Sequence, residues 1–187
     1  MKVTPMSLPE VLLVEPQRFG DARGYFMETY REERYRASGI GSRFVQDNLS
    51  RSTRGILRGL HLQHPNQQGK LVYVLEGEVF DVAVDVRVGS PDFGKWTGAA
   101  LSADDHRQLW ITPGFAHGFC VTSDTALFAY KCTVAYSAAD ELGVLWNDPG
   151  LSIPWPVAEP KLSGKDATLP RLLDIDPARL PCYGAKG

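Results

Sequence analysis

The sequence predicts an all-β domain, either a sandwich or a barrel of short strands. Runs of strand-forming residues recur at short spacing along most of the chain, and turns rich in glycine and proline separate them. Few segments show the apolar period of about 3.6 residues that marks an amphipathic helix. The chain has 187 residues, which suits one domain with one large core.

The amino-acid composition indicates an ordinary globular protein and argues against several other classes. Hydrophobic residues make up 43% of the chain, charged residues 22%, and the net charge is -2, as in ordinary globular proteins. With no basic surplus, nucleic acid is not an expected partner. No apolar run approaches the roughly 20 residues of a membrane span, and no signal peptide is recognisable, so no membrane association is expected. Three cysteines without CxxC spacing indicate free thiols in a reducing cytoplasm.

The first third of the chain predicts short strands and one helix. The glycines at positions 20 and 24 indicate a turn, and a charged run that ends before Gly39 indicates a short helix with a glycine cap. The predicted elements are a strand at 11–14, a turn at 18–24, a strand at 25–30, a helix at 31–38 and a strand at 43–48.

Residues 71–87 carry the clearest strand signal, with Glu76 and Gly77 as the two-residue turn of a predicted hairpin. The second strand of this hairpin has an apolar face, and its other face is mixed. Further strands are predicted at 95–101, 107–112, 117–122 and 125–134. A single domain is expected, with a barrel core at about 11–146 and a loop-rich C-terminal tail at 147–187 packed on it.

An unusual strand at 58–63 carries Arg58, His61 and Gln63, and Lys70 follows across the turn. Burying such groups without partners costs about 1–3 kcal/mol each, and more when they are charged. We therefore expect this strand to line a polar cavity. An imidazole such as that of His61 can serve as a general base near neutral pH if a carboxylate orients it. Asp81, Asp85 and Asp166 are candidates for that carboxylate, and the residues alone do not choose among them.

His117 stands at the mouth of an apolar strand, where it could be a turn residue, a metal ligand or a donor to substrate. A metal is not expected, because His61 and His64 are spaced as HxxH, which places them on opposite faces of a strand. No glutamate follows them closely to complete a ligand set. Tyr130 faces inward in the predicted strand, either as a packing residue or as an acid.

Several motifs together resemble the dTDP-4-dehydrorhamnose 3,5-epimerase family, in order and from about residue 11 to residue 166. The resemblance implies a jelly-roll, cupin-like barrel that works without metal or cofactor, and a homodimer whose N-terminal strands extend the partner's sheet. The motifs are FGDARG (19–24), FVQDN (44–48), RGLH (58–61), QGKLV (68–72), GEVFDVAVD (77–85), PGFAHGF (113–119) and WND (146–148).

The resemblance also implies an activity, the inversion of C3 and C5 of a dTDP-linked 4-keto-6-deoxyhexose in dTDP-L-rhamnose biosynthesis. It places His61 as the base, Asp166 as the residue that orients it, and Tyr130 as the acid on the opposite face. Lys70 is implied to stabilise the developing oxyanion, with His117 nearby. The alternatives are an epimerase that acts on one carbon only, and a sugar-nucleotide-binding barrel without catalysis.

Substrate-binding residues are implied in the same way. Arg23, Arg58 and Lys165 resemble contacts to substrate, and the arginines suit a diphosphate because a guanidinium binds it through two donors. The resemblance implies that Glu28 reaches the partner's site and that Tyr136 stacks on thymine. It also implies sugar-nucleotide contacts by Gln46, Asp47, Asn48 and Glu141. Leu62, where many relatives have an aromatic residue, and Gly164, next to Lys165, depart from the family pattern without removing a reacting group.

Overall fold

A computed structural model describes residues 1–41 and 43–184 of the chain. Within these residues it contains thirteen strands and one α-helix, and three short 3-10 helices lie in the C-terminal tail. Among these helices, none has the length and apolar character that crossing a membrane requires. The elements are β1 (Lys2–Pro5), β2 (Leu12–Glu15), β3 (Arg18–Asp21), β4 (Gly24–Met27), α1 (Glu32–Ala37), β5 (Gln46–Thr53), β6 (Leu57–Gln63), β7 (Lys70–Glu76), β8 (Glu78–Asp85), β9 (Trp96–Ser102), β10 (Gln108–Ile111), β11 (Phe115–Val121), β12 (Thr125–Cys132) and β13 (Glu141–Gly143).

Two antiparallel sheets pack face to face. The six-stranded sheet has the order β1-β2-β10-β7-β12-β5, and the five-stranded sheet has the order β13-β6-β11-β8-β9. Their inner faces share one core, to which Val72 and Phe128 contribute from the first sheet and Ala83 and Phe119 from the second. The prediction of an all-β, jelly-roll fold is therefore confirmed.

The outer faces of the two sheets are covered differently. Leu172, Ile175 and Leu180 of the C-terminal tail pack on the five-stranded sheet in a second apolar cluster. Tyr35 of α1 packs against Trp110 on the outer face of the six-stranded sheet. This helix covers only part of that face, so the remainder of the six-stranded sheet is open.

The predicted hairpin at Glu76 and Gly77 is wrong. β7 pairs with β10 and β12, whereas β8 pairs with β9 and β11, so the chain crosses from one sheet to the other at Gly77. Gly77 has a φ of 76°, and a Cβ there would lie 1.9 Å from the carbonyl oxygen of Thr125. Glycine is needed at this corner because no side chain fits it.

The face of β8 that was predicted to be mixed is as buried as its apolar face. Val82 and Val84 pack under the tail, while Asp81 and Ala83 point between the two sheets. A strand covered on both sides shows no exposed polar face, so its buried carboxylates need partners within the protein. Asp81 has one in His117, and Asp85 has one in Arg87.

The N-terminal region differs in its boundaries from the prediction. Residues 18–24, predicted as a turn, form most of a hairpin in which β3 pairs with β4, and only Ala22 and Arg23 lie between the two strands. The strand predicted at 25–30 ends at Met27, and the one predicted at 43–48 is β5, which runs from Gln46 to Thr53. Ser42 lies outside the described residues. β1, which was not predicted, pairs with β2 at the edge of the six-stranded sheet.

Candidate active site

A cavity of about 450 Å³ opens between the two sheets. A second lobe of about 240 Å³ adjoins it, because His61, Lys70 and Tyr130 line both. The strand at 58–63 therefore lines a polar cavity, as its residue types predicted. The predicted residues in the first lobe are Arg58, His61, Lys70, His117, Tyr130, Lys165 and Asp166, and the second lobe adds Gln46, Asn48, Tyr136 and Glu141.

A β-bulge in β6 brings Arg58 and His61 to the same cavity. His61 lies opposite His117 and Arg58 lies opposite Phe119, so two residues of β6 face the single residue Gly118. Without this extra residue, side chains three positions apart would point to opposite faces. A Cβ on Gly59 would lie 2.6 Å from the Cα of Gly118, which makes glycine necessary at this close approach.

His61 and Asp166 form a dyad, in which His61 Nε2 lies 2.7 Å from Asp166 Oδ1. Burial raises the pKa of Asp166, but the hydrogen bond and charge of His61 outweigh it and hold this pKa below its usual value. An ionised Asp166 accepts the Nε2–H, which leaves Nδ1 as the nitrogen with a free lone pair. The hydroxyl of Ser163 accepts the Asp166 N–H at 3.1 Å and so anchors the dyad despite the neighbouring Gly164.

His117 has a carboxylate of its own. Its Nε2 lies 2.9 Å from Asp81 Oδ2, and both side chains are almost fully buried. Burial lowers the pKa of His117 and raises that of Asp81. Asp85 instead accepts hydrogen bonds from Arg87. The three candidate carboxylates therefore have different partners. Asp166 is bound to His61, Asp81 is bound to His117, and Asp85 is bound to Arg87 away from both histidines.

Lys70 and Tyr130 come from the other sheet. On β7 and β12, Lys70 pairs with Cys132 and Tyr130 with Val72, so the two side chains are diagonal neighbours on the inner face. Burial lowers the pKa of Lys70 and raises that of Tyr130. The imidazole of His61 and the phenol of Tyr130 thus approach one cavity from opposing sheets.

The second lobe combines amide groups, the carboxylate of Glu141 and one exposed aromatic ring. Gln46 Nε2 donates to Asn48 Oδ1, and Gln46 Oε1 accepts from the N–H of Tyr136, both at 2.8 Å. The Tyr136 hydroxyl donates to Glu141 at 2.8 Å, and Glu141 also pairs with Lys165. Tyr136 is held by its backbone and hydroxyl while 57% of the residue stays exposed. Its ring can therefore stack on a planar ligand.

Three predicted site residues lie outside this cavity. Asp47 points to the outer face of β5, where it pairs with Lys131 at 3.0 Å. Arg23 lies at the tip of the β3–β4 hairpin, with its side chain 89% exposed and paired with Asp21. Glu28 follows that hairpin and pairs with Arg34. Their roles in binding stay predictions.

Sequence reasoning missed several residues that line the cavity. Phe119 and Phe128 stack with ring centroids 4.1 Å apart and give it an apolar wall. The strand period puts Phe128 on the face of Tyr130, which it precedes by two, and Phe119 on the face of His117, which it follows by two, but it did not indicate that the two rings line the cavity. Lys161 also lines the cavity, and it has no motif that would have marked it.

Within residues 1–41 and 43–184, no three His, Cys, Asp or Glu side chains cluster as a metal site would require. The Nε2 atoms of His61 and His117 each bind a carboxylate instead. Catalysis without metal or cofactor stays a prediction. The cavity is thus lined by an oriented imidazole, a half-buried lysine and a phenol, which are groups that can transfer protons next to a carbonyl and stabilise the enolate.

Fold and site together define a jelly-roll, cupin-like protein whose barrel is equipped for proton transfer. The family model described as dTDP-4-dehydrorhamnose 3,5-epimerase matches residues 5–174. The chain belongs to this family.

Relatives with that name are similar over nearly their whole length. A dTDP-4-dehydrorhamnose 3,5-epimerase of Shigella flexneri is 53% identical over 94% of this chain and 98% of its own. The crystal structure of a 3,5-epimerase of Legionella pneumophila in complex with dTDP-4-keto-L-rhamnose superposes with a TM-score of 0.95, at 50% identity, covering 98% of this chain and 99% of that one. A dTDP-4-dehydrorhamnose 3-epimerase of Streptomyces niveus is 40% identical over 98% of this chain and 90% of its own.

Proposed function

We propose that this protein is an isomerase that inverts C3 and C5 of dTDP-4-dehydro-6-deoxy-D-glucose to give dTDP-4-dehydro-L-rhamnose. One observation carries the proposal. His61 enters the cavity from the five-stranded sheet with Asp166 of the C-terminal tail bound to it, and Lys70 and Tyr130 enter the cavity from the six-stranded sheet. Inversion at a carbon needs a base on one side and an acid on the other, and two facing sheets supply this arrangement.

The chemistry follows from the ketone at C4, which makes the hydrogens on C3 and C5 acidic. His61 takes the proton, the C–H electrons form the enolate C=C bond, and the carbonyl electrons move to oxygen. Lys70 lies where a cation can stabilise that oxygen, an effect worth about 10²–10³-fold in rate. Tyr130 then donates its proton to the opposite face of the carbon, and the enolate collapses to the inverted ketone.

The second lobe supports a nucleotide-linked substrate. Gln46 and Asn48 offer amide groups, and Tyr136 offers an exposed ring on which thymine can stack. Arg58 and Lys165 offer cations for the diphosphate. The relatives agree with this reading of the second lobe, because they are named as dTDP-sugar epimerases and one of them was crystallised in complex with dTDP-4-keto-L-rhamnose.

Proton NMR of dTDP-4-keto-6-deoxyglucose incubated with the protein in D₂O tests the proposal. We expect the signals of both the C3 and the C5 hydrogens to disappear, because each proton removed by His61 is replaced from solvent. Trapping with a stereospecific 4-ketoreductase, which reduces the 4-keto product to dTDP-L-rhamnose, should then confirm its L-lyxo configuration. The negative control is the His61→Ala protein, purified in the same way.

The other outcomes of that experiment are equally informative. Exchange at one carbon only would establish an epimerase of the kind that the Streptomyces niveus relative is named for. No exchange at either carbon, with dTDP still bound, would indicate a binding barrel without catalysis.

We propose a homodimer, formed through the open part of the six-stranded sheet and the β3–β4 hairpin. Leu49 and Leu75 on the outer face of that sheet are 61% and 50% exposed, and Phe26 on the hairpin is 71% exposed. Exposed apolar side chains on these two surfaces support a protein interface. The position of Arg23 on the same hairpin, outside its own cavity, supports a role in the partner's site.

A complementation experiment tests this shared site. Arg23→Ala and His61→Ala are each expected to lose most activity, but co-expression should restore about a quarter of the wild-type rate. Half of the dimers are then mixed, and one of their two sites combines an intact His61 with an intact Arg23 from the partner. Steady-state rates of the co-purified mixture give the measurement.

A pair of variants from one site provides the control. His61→Ala co-expressed with Asp166→Ala changes two residues of the same dyad, so every mixed dimer has two damaged dyads and no rescue is expected. Absence of rescue for Arg23→Ala with His61→Ala would show that Arg23 does not act across a dimer. Sedimentation equilibrium that gives the mass of a single chain would contradict the dimer itself.

We also propose that the protein works in the cytoplasm. All three cysteines are free in the structure, and Cys120 and Cys132 are buried. Unpaired thiols suit a reducing compartment, and a nucleotide-sugar substrate suits the same location.

A further inference from the structure

Lys161 is fixed against the residues that lead into β6. Its N–H donates to the carbonyl of Gly55 at 2.8 Å, and its carbonyl accepts the N–H of Leu57 at 3.1 Å. These two hydrogen bonds involve the residues on either side of Ile56, with which Lys161 forms a parallel β-bridge. Lys161 is therefore held one residue away from the segment that begins with Arg58, and both side chains line the same cavity.

The charges around this cavity do not balance. Asp166 is engaged by His61, and Glu141 is engaged by Lys165. Arg58 donates to the hydroxyl of Ser52 at 3.1 Å, through both Nε and Nη2. Among residues 1–41 and 43–184, neither Arg58 nor Lys161 pairs with a carboxylate.

Three cations that line this cavity lack acidic partners in the described part of the chain. Lys70 lies beside Tyr130 on the six-stranded sheet, whereas Arg58 and Lys161 lie on neighbouring segments of one cavity wall, where they make a site for a ligand with two negative charges. Ser50 adds to this observation, because its hydroxyl is buried, lines the same cavity and has no hydrogen-bond partner in the described part of the chain. An unpartnered buried hydroxyl is costly unless a ligand completes its hydrogen bonding.

We infer that Lys161 binds the diphosphate of the nucleoside-diphosphate sugar, together with Arg58. This inference rests on the proposed function. Each phosphate of such a diester carries a negative charge at neutral pH. Arg58 can bind one phosphate through two donors, and the ammonium group of Lys161 acts as a point charge for its neighbour.

Lys161 thus contacts a part of the substrate that does not react. An interaction that is equally strong in the ground state and the transition state lowers KM without raising kcat. Lys161 is therefore a binding residue, and its loss should weaken binding while leaving proton transfer by His61 and Tyr130 unchanged.

Isothermal titration with dTDP and with thymidine separates this role from a structural one. We expect Lys161→Ala to weaken dTDP binding by about tenfold, because a hydrogen bond to a charged group is lost. Thymidine binding should stay within about twofold of wild type, since thymidine has no phosphate. KM for the sugar nucleotide should rise by the same tenfold at unchanged kcat, and Lys161→Arg should retain most of the affinity.

Lys95→Ala is the matched control. Lys95 is an exposed lysine that pairs with Asp92 and lines none of the lobes described above, so its loss should leave dTDP binding unchanged. Equal dTDP affinity in the wild type and in Lys161→Ala would overturn the inference, as would an equal loss of thymidine affinity. A wild-type protein that does not bind dTDP at all would overturn the proposed function as well, and that outcome is distinct from the other two.

Discussion

His61→Ala is expected to abolish turnover while dTDP affinity stays within about tenfold of wild type. The imidazole is the one group that the Asp166 carboxylate orients at 2.7 Å, and an oriented general base is worth about 10²–10⁴-fold in rate. His117 does not replace it, because the imidazole of His117 is held by the Asp81 carboxylate. Stopped-flow or NMR detection of C3 and C5 exchange in D₂O gives the rate, and titration with dTDP gives the affinity.

Asp166→Asn is the companion variant for this experiment. Asparagine keeps the size of the side chain, but its amide can donate a hydrogen bond to Nε2. The imidazole proton would then lie on Nδ1, which would turn Nδ1 from an acceptor into a donor. We expect exchange to fall by about 10²–10⁴-fold with dTDP binding intact. Exchange at the wild-type rate in His61→Ala would remove His61 from the role of base. A large loss of dTDP affinity in both variants would instead mean that the dyad supports the binding site.

The sequence predicted the inner faces of the strands well, because a period of two is a local property. The period of two placed Tyr130 on an inward face, whereas the residue types of Arg58, His61 and Gln63 predicted that their strand lines a polar cavity. The structure places all four residues at the cavity. The sequence-based prediction failed at Gly77. Two strands joined by Glu76 and Gly77 give the same local pattern whether the chain folds back within one sheet or crosses to the other. The choice depends on pairing with β10 and β11, which lie far along the chain.

Contacts between residues far apart in the sequence also determine the active site, and local patterns could not predict them. His61 and Asp166 are 105 residues apart, and residue types alone left Asp81 and Asp85 as equal candidates for the partner. Only the resemblance to a family favoured Asp166. The bulge opposite Gly118, which turns Arg58 and His61 to one side, depends on a close approach of two backbones. The position of Lys161 depends on a bridge between the tail and Ile56.

Tyr130→Phe is expected to separate proton removal from inversion. The variant keeps the ring that packs beside Phe128 and loses only the hydroxyl, so the cavity should keep its shape. His61 can still remove the protons, and C3 and C5 exchange should stay within about tenfold of wild type. Formation of the inverted product should fall by about 10²–10⁴-fold, because the acid on the opposite face is missing.

The measurement compares deuterium incorporation into recovered substrate with formation of the L-lyxo product in the same reaction. Tyr73→Phe is the control, since Tyr73 lies on β7 next to Val72 and points away from the cavity. Wild-type rate and stereochemistry in Tyr130→Phe would remove Tyr130 from the role of acid. Exchange without inversion in Tyr130→Phe would mean that the proton returns to the carbon from the side on which His61 lies. Tyr130, on the six-stranded sheet, would then be the residue that determines inversion.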